Sequence, residues 1–133
     1  MSRHPPYERS RMRAVKAIFI KLGAEGRSLR LLREWLSPVQ RTQFAKKGYF
    51  EVVGSDTGRR YRIYPGIMSN VCEIDVRGRP RLGLCFRTMG ELPVGDVMLA
   101  QKIALENCES SVLAVARVFV PRFFMFGRGR LFG

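Results

Sequence analysis

Four carboxylates are the residues of this sequence whose type and spacing best suit catalysis. Glu73 and Asp75 stand two residues apart in a predicted strand, so their side chains share one face. Together with Asp56 or Asp96 they would form an oxygen-rich site for Mg²⁺ and a nuclease-like reaction. Two acids at this spacing are also common on solvated strand faces, where nearby arginines neutralise them. We therefore predict an outward strand face, no catalytic residue and no enzymatic activity, with the nuclease as the weaker alternative.

Other residue types that perform chemistry are sparse. The one histidine, His4, lies in a proline-rich start, which leaves a Ser or Cys nucleophile without an ordered base. Cys72, Cys85 and Cys108 include no C-x-x-C pair, and a zinc site takes four ligands. Their odd number and wide spacing predict reduced thiols in a cytoplasmic protein. No nucleotide-binding glycine motif is present, so the sequence predicts neither a metal nor a cofactor.

Positive charge is concentrated towards the two ends of the chain, which has a net charge of +13. Residues 1–47 contain twelve Lys or Arg and three acids, residues 48–116 contain eight of each, and residues 117–133 contain four and none. The predicted centre is therefore neutral, and the excess lies in the flanks. Such basic segments favour nucleic acid, an anionic membrane or an acidic protein as the partner.

Nucleic-acid binding without catalysis is the function that these charges favour most. Lysine and arginine neutralise phosphates, and aromatic rings stack on bases, so we expect contacts from the basic flanks and from an Arg/Tyr face of the sheet. The predicted contact residues are Arg11, Arg13, Lys16, Lys46, Lys47, Arg59, Arg60, Arg62 and Tyr64. The pattern fits DNA and RNA equally, since it contains no helix-turn-helix or zinc-finger signature.

Two other functions fit the same flanks. A basic amphipathic helix is predicted at residues 11–22, where Val15, Ile18, Phe19 and Leu22 follow helical spacing. Such a helix is typical of one that lies on an anionic membrane. The tail at 117–133 combines phenylalanines with arginines, and it would suit an adaptor or regulator that docks on a protein partner. The uninterrupted apolar runs are far shorter than the ~20 residues of a membrane span, so we predict no transmembrane segment.

The elements that position these residues are predicted to be helices on both sides of a sheet. Ser37-Pro38 followed by Gln40 predicts the start of a helix, and Gly48 predicts its end. Asp96 predicts the cap of a later helix that packs on one sheet face. Residues 112–118 fit either a helix or a strand.

Two hairpins between residues 48 and 88 supply the predicted sheet. Placing Val53 opposite Arg60 gathers the apolar residues on one face and pairs Glu51 with Arg62 on the other. In the second hairpin, alternation predicts an inward set of Cys72, Ile74, Val76, Leu82, Leu84 and Phe86.

Together these patterns predict one α+β domain at residues 10–116, with N-terminal helices, a four-stranded antiparallel meander and a C-terminal helix on the sheet. A flexible start at residues 1–9 precedes it, and the basic aromatic tail at 117–133 follows. The stretch from about Leu36 to Glu106, which includes YFEVVGSDTGRRYRI and LPVGDVMLAQKIALE, resembles small bacterial proteins of alphaproteobacterial type without an assigned activity. The resemblance covers about half of the chain. It implies a compact domain and carries over no functional residue.

Overall fold

Helices flank one antiparallel sheet in this protein, whose computed structural model describes residues 23–66, 69–86 and 91–121. The predicted α+β class is thereby confirmed. The described chain begins with α1 at residues 23–35 and α2 at Pro38–Lys47. The strands β1 to β4 follow at Phe50–Val53, Arg60–Ile63, Val71–Ile74 and Pro80–Cys85. The chain continues through α3 at Val94–Asn107, α4 at Glu109–Val115 and β5 at Arg117–Phe119.

The sheet has five strands in the order β1-β2-β3-β4-β5, so the prediction of four strands was wrong. The fifth strand comes from residues that the sequence analysis assigned to the tail. Helix and strand both occur in the ambiguous segment, because α4 ends at Val115 and β5 begins at Arg117. The strand fits against β4 because Gly83 has no side chain: a Cβ there would lie 2.2 Å from the ring of Phe119.

The first hairpin has the predicted register, with Val53 opposite Arg60 and Glu51 opposite Arg62. Helix α2 also begins and ends as predicted. Ser37 and Gln40 form a reciprocal capping box, and Gly48 closes the helix with a φ of 76°. These local signals therefore determine where α2 meets β1.

Helix α2 also covers the outer edge of the sheet. The Glu51 N–H donates to Oε1 of Gln43 at 2.9 Å, and the Glu51 carbonyl oxygen accepts from Nε2 of Gln40 at 2.9 Å. Nε2 of Gln40 also donates to Oε1 of Glu106 in α3 at 3.0 Å. Buried Gln40 thus joins α2, β1 and α3.

The main core lies between α3 and the first two strands, as predicted for the C-terminal helix. Its buried members include Leu32, Phe50, Ile63, Met98 and Leu105. Helix α3 begins at Val94, so Asp96 lies in its first turn and does not act as the cap. None of the described helices is long and apolar enough to cross a membrane.

The second hairpin differs from its predicted pattern. Val71 pairs with Leu84 and Glu73 with Leu82, so Glu73 shares the core face of the sheet with the opposite residue Tyr61. The predicted inward set was wrong because apolar residues occupy both faces of β3. Cys72 and Ile74 belong to a second cluster, which also contains Tyr64, Tyr49 and Phe119. Val76 lies beyond the strand and is 94% exposed.

Candidate nucleic-acid interface

Two turns lie together at one end of the sheet, which we call the turn end. In an antiparallel meander alternate connections lie at the same end, so the β1–β2 turn is beside the β3–β4 turn. The first turn is closed by the Gly54 N–H, which donates to the Arg59 carbonyl oxygen at 2.8 Å. In the second turn, the Asp75 N–H donates to the Arg79 carbonyl oxygen at 2.9 Å. The turn end carries five arginines, namely Arg59, Arg60, Arg77, Arg79 and Arg81.

An open groove of about 330 Å³ lies at this end. Its lining combines basic, acidic and apolar side chains with the backbone of one glycine. We call it the arginine groove. It is lined by Gly58, Arg59, Arg60, Glu73, Ile74, Asp75, Val76 and Arg81.

Glu73 is the buried carboxylate of the arginine groove, with a side chain that is 5% exposed. Its Oε1 lies 3.4 Å from Nη1 of Arg59, and its Oε2 lies 3.5 Å from Nη1 of Arg81. The Oε2 atom is buried and accepts no hydrogen bond among the described residues. The side chains of Arg59 and Arg81 are 51% and 61% exposed, so a buried anion lies between two cations that reach solvent.

A register irregularity brings Arg81 to this carboxylate. Glu73 pairs with Leu82 while the next residue, Ile74, pairs with Pro80, which leaves Arg81 as an extra residue in β4. Such bulges commonly redirect a side chain at the end of a strand. The groove therefore depends on a feature of the second hairpin that alternation does not predict.

The predicted residues Arg62 and Tyr64 lie on the other face of the sheet and are largely buried. Nε of Arg62 donates to Oε2 of Glu51 at 2.9 Å, and only 14% of the Arg62 side chain is exposed. The Arg62 guanidinium also lies 4.8 Å from the centroid of the Tyr49 ring. Tyr64 is 4% exposed, and burial raises its pKa to about 12. These two residues are thus integral to the packing of this face.

The structure divides the remaining predicted residues between two places. Arg59 and Arg60 meet in the arginine groove, although Nη2 of Arg60 also donates to Oε1 of Glu51 at 3.1 Å. Lys46 and Lys47 are exposed at the end of α2, which leads into β1, so a four-residue strand of ~13 Å separates them from the turn end. Three predicted contacts, Arg11, Arg13 and Lys16, lie outside the described residues.

Two regions on which the alternative functions depend also lie outside the described residues. They are the predicted amphipathic helix at 11–22 and most of the aromatic tail, from residue 122 onwards. Neither Arg81 nor Glu73 is among the nucleic-acid contacts predicted from the sequence. The sequence contains one signal for the position of Arg81. Pro80 directly precedes it, and a proline predicts an irregular strand end.

Two of the carboxylates considered as Mg²⁺ ligands, Asp75 and Asp56, accept hydrogen bonds from neighbouring groups. Oδ1 of Asp75 accepts the N–H groups of Arg79 and Arg77 at 2.9 and 2.8 Å, and these bonds lower the pKa of Asp75. Oδ2 of Asp56 accepts from the hydroxyl of Ser110, which lowers the pKa of Asp56. Within residues 23–66, 69–86 and 91–121, no group of three His, Cys, Asp or Glu side chains is placed to hold a metal ion.

A second buried carboxylate, Glu109, holds the β1–β2 turn against α4. It accepts the backbone N–H groups of Asp56 and Thr57 at 2.9 and 2.8 Å, the Thr57 hydroxyl at 2.6 Å and the Tyr61 hydroxyl at 2.5 Å. Burial acts to raise the pKa of Glu109, but these hydrogen bonds outweigh it and lower the pKa to about 2. Glu109 is therefore ionised at neutral pH, and all the interactions described for it are internal to the fold.

The backbone at Gly54 passes directly beside this carboxylate. A Cβ atom at position 54 would lie 2.3 Å from Oε2 of Glu109, so only glycine fits there without a shift.

Comparisons of the chain with protein-family models, curated proteins and solved structures give no match.

Proposed function

We propose that the protein binds nucleic acid without catalysis, and that the arginine groove is its principal phosphate-binding surface. One observation carries the proposal. Arg59 from the first hairpin and Arg81 from the second converge on Glu73 in a concave site, and both arginine side chains are at least half exposed. Arginine binds phosphate oxygens through paired N–H donors, and it is the residue that recurs in phosphate recognition.

The balance of charge at the turn end supports the same ligand class. The lining of the groove includes three arginines, Arg59, Arg60 and Arg81, and two acids, Glu73 and Asp75. Arg77 and Arg79 belong to the exposed β3–β4 turn beside the groove. A positive surface of this kind attracts a polyanion from solution, and neutralised phosphates release their counterions.

Basic residues elsewhere in the chain would extend the contact. Lys46 and Lys47 are exposed at the other end of β1, and the sequence places many of the remaining Lys and Arg residues before residue 23. These residues would contribute sequence-independent attraction, while the groove would fix how the strand lies. The expected binding is therefore strongly salt-dependent for both DNA and RNA.

The test is a fluorescence-anisotropy titration of the full chain with labelled single- and double-stranded DNA and RNA between ~50 and ~200 mM salt. The groove variant combines Arg59→Ala with Arg81→Ala. The matched control combines Lys46→Ala with Lys47→Ala, which removes the same charge from another place. We expect the groove variant to weaken binding by about tenfold, because it removes two directed phosphate contacts. The control should weaken binding by about twofold to threefold, because it removes only sequence-independent attraction.

Two results would overturn the proposal. The first is no binding of any of the four nucleic acids at the lowest salt, with or without binding to anionic vesicles of phosphatidylserine and phosphatidylcholine. The second is a groove variant that binds as tightly as the control variant. Thermal melting of each variant establishes that the folded proteins are being compared.

A further inference from the structure

We infer that Glu73 is a positioning residue, which holds Arg59 and Arg81 so that both guanidinium groups bind one phosphodiester of a nucleic-acid strand. The inference rests on the proposed function, since it names the chemical group that the arginine groove receives. It goes further in assigning a part in anion binding to a residue that itself carries a negative charge.

The distances between Glu73 and its two arginines show loose ion pairing. Separations of 3.4 and 3.5 Å exceed the ~2.7 to 2.9 Å of a charge-assisted hydrogen bond. Within the described part of the chain, neither guanidinium group donates a hydrogen bond, although each carries five N–H donors. Glu73 therefore offsets part of the positive charge of the two arginines, while their donors stay available for a ligand.

The carboxylate also explains why two cations from separate hairpins lie in one groove. Guanidinium groups repel each other, and a buried anion between them offsets this repulsion. Because Glu73 is buried on one side and the arginines are half exposed on the other, an oxyanion would approach them from solvent. A phosphodiester carries one negative charge and two non-bridging oxygens. Each guanidinium group can therefore bind one of these oxygens.

The shape of the groove favours a phosphate within a strand. A volume of about 330 Å³ is at the lower end of small-molecule pockets, so it accommodates a phosphate with part of its nucleoside. The groove is open to solvent, so a strand can continue on both sides. The lining residues Ile74 and Val76 add apolar surface for the sugar.

A simple charge argument makes the opposite prediction for Glu73. If only net charge mattered, removal of this acid would strengthen binding to a polyanion. If Glu73 positions the arginines, its removal weakens binding although the protein becomes more positive. The sign of the effect therefore separates the two roles.

The experiment compares Glu73→Gln with Asp75→Asn in the full chain, with a labelled twelve-nucleotide single strand as the probe. Both substitutions remove one negative charge from the same groove, and the amide oxygen that D75N introduces can still accept the turn N–H groups. We expect E73Q to weaken binding by about fivefold to tenfold and D75N to tighten binding by about twofold, because D75N removes an acid that lines the groove and faces the polyanion. The slope of log K against log salt concentration should become shallower in E73Q alone, by the equivalent of about one to two phosphate contacts. A merely structural role of Glu73 would not change this slope.

The outcomes distinguish the inference from the function on which it rests. Wild-type protein that binds no nucleic acid overturns both. Wild-type binding that E73Q leaves equal or tighter overturns the inference alone. A probe that binds only when it carries a 5′-phosphate also overturns it, because the site would then take a terminal phosphate.

A second variant keeps the inference testable if E73Q does not fold. Arg81→Lys preserves the charge and removes the planar fork, so it should weaken binding severalfold if the phosphate is held by paired donors. An R81K protein with wild-type affinity at every salt concentration would overturn the inference.

Discussion

Glu109 and Glu73 are both buried glutamates beside the β1–β2 turn, but their charges are neutralised in different ways. Glu109 is 0% exposed and receives hydrogen bonds from two backbone N–H groups and from the Thr57 and Tyr61 hydroxyls. Glu73 is 4% exposed and faces two arginines at ion-pair distance, and one of its oxygens receives no hydrogen bond from the part of the chain that the structure describes. The Glu109 carboxylate is stabilised by hydrogen bonds from groups within the fold, whereas the Glu73 carboxylate is balanced by two arginines that reach solvent.

This difference separates a structural group from a candidate binding group. A buried anion with a full set of short hydrogen bonds stabilises the segments that donate them. A buried anion that is balanced only by loosely paired, half-exposed arginines contributes less to stability, because the cost of burying the anion offsets the attraction of the pairs. The two glutamates should consequently respond differently to the same substitution.

The largest effect is expected for Glu109→Gln. The glutamine NH₂ group is a hydrogen-bond donor, but the groups around Glu109 are also donors, so some of the present hydrogen bonds would be lost together with the charge. We therefore expect the free energy of unfolding to fall by about 3 kcal/mol. Urea denaturation at neutral pH measures this change. Glu34→Gln on the exposed side of α1 is the control and should change stability by less than about 0.5 kcal/mol. Equal stability of the two variants would contradict the role of Glu109.

The same interaction predicts a dependence on acid. The pKa of Glu109 is about 2 in the folded protein and 4.5 ordinarily, so its stabilisation is fully present above about pH 5. It is lost as the pH falls towards 2, because the unfolded chain binds the proton more readily, and the total amounts to about 3 kcal/mol. Urea midpoints measured between these pH values should fall more steeply for wild type than for E109Q. Parallel curves would contradict the prediction.

A smaller loss is expected when Gly54 is replaced by Ala. The added methyl group would push against the Glu109 carboxylate, and overpacking of this kind costs about 2 kcal/mol. Gly26→Ala is the matched control, since no atom of the described residues outside its chain neighbours and the local backbone of α1 lies within 4 Å of a Cβ at position 26. That substitution should stabilise the protein by about 0.5 to 1 kcal/mol. A G54A protein as stable as G26A would exclude the close approach.

Removal of one donor should have a more modest effect. Tyr61→Phe deletes the hydroxyl that donates to Glu109, and we expect a loss of about 1 to 2 kcal/mol. Denaturation of Y61F, E109Q and the double variant forms a double-mutant cycle. The two effects should be non-additive, and strict additivity would show that the hydroxyl and the carboxylate act independently.

The smallest change in stability is expected for Glu73→Gln. Loss of the charge removes two loose ion pairs and also the cost of burying an anion, so the net change should be within about 1 kcal/mol in either direction. Denaturation alongside E109Q measures the contrast directly. A loss as large as that of E109Q would make Glu73 another structural carboxylate and remove the distinction.

The parts of the fold that followed from the sequence are those whose signals are local and mutually consistent. In the first hairpin, one register both pairs Glu51 with Arg62 and places the apolar residues on the core face. The limits of α2 follow from Ser37, Gln40 and Gly48, which lie within or next to the helix that they cap. Each of these predictions needed only a few neighbouring residues.

The candidate site depended on contacts that such signals do not contain. Apolar residues on both faces of β3 hide the orientation of Glu73, and the irregularity that presents Arg81 has no periodic signature. Glu109 is 53 residues from Asp56 in sequence, so its role appears only when α4 packs on the turn. Arg59 and Arg60 were therefore predicted as contacts and nearby arginines were expected to neutralise Glu73, but the buried position of Glu73 was not predicted.

The two glutamines of α2 have a consequence for the behaviour of the protein at high concentration. A bare outer strand is a template on which another molecule can add a strand, and this is a common route to aggregation. Gln40 and Gln43 bind the backbone N–H and carbonyl oxygen of Glu51, which face away from β2 at the edge of the sheet. Intermolecular strand addition at β1 would first have to displace α2, so this side of the molecule resists amyloid-like growth.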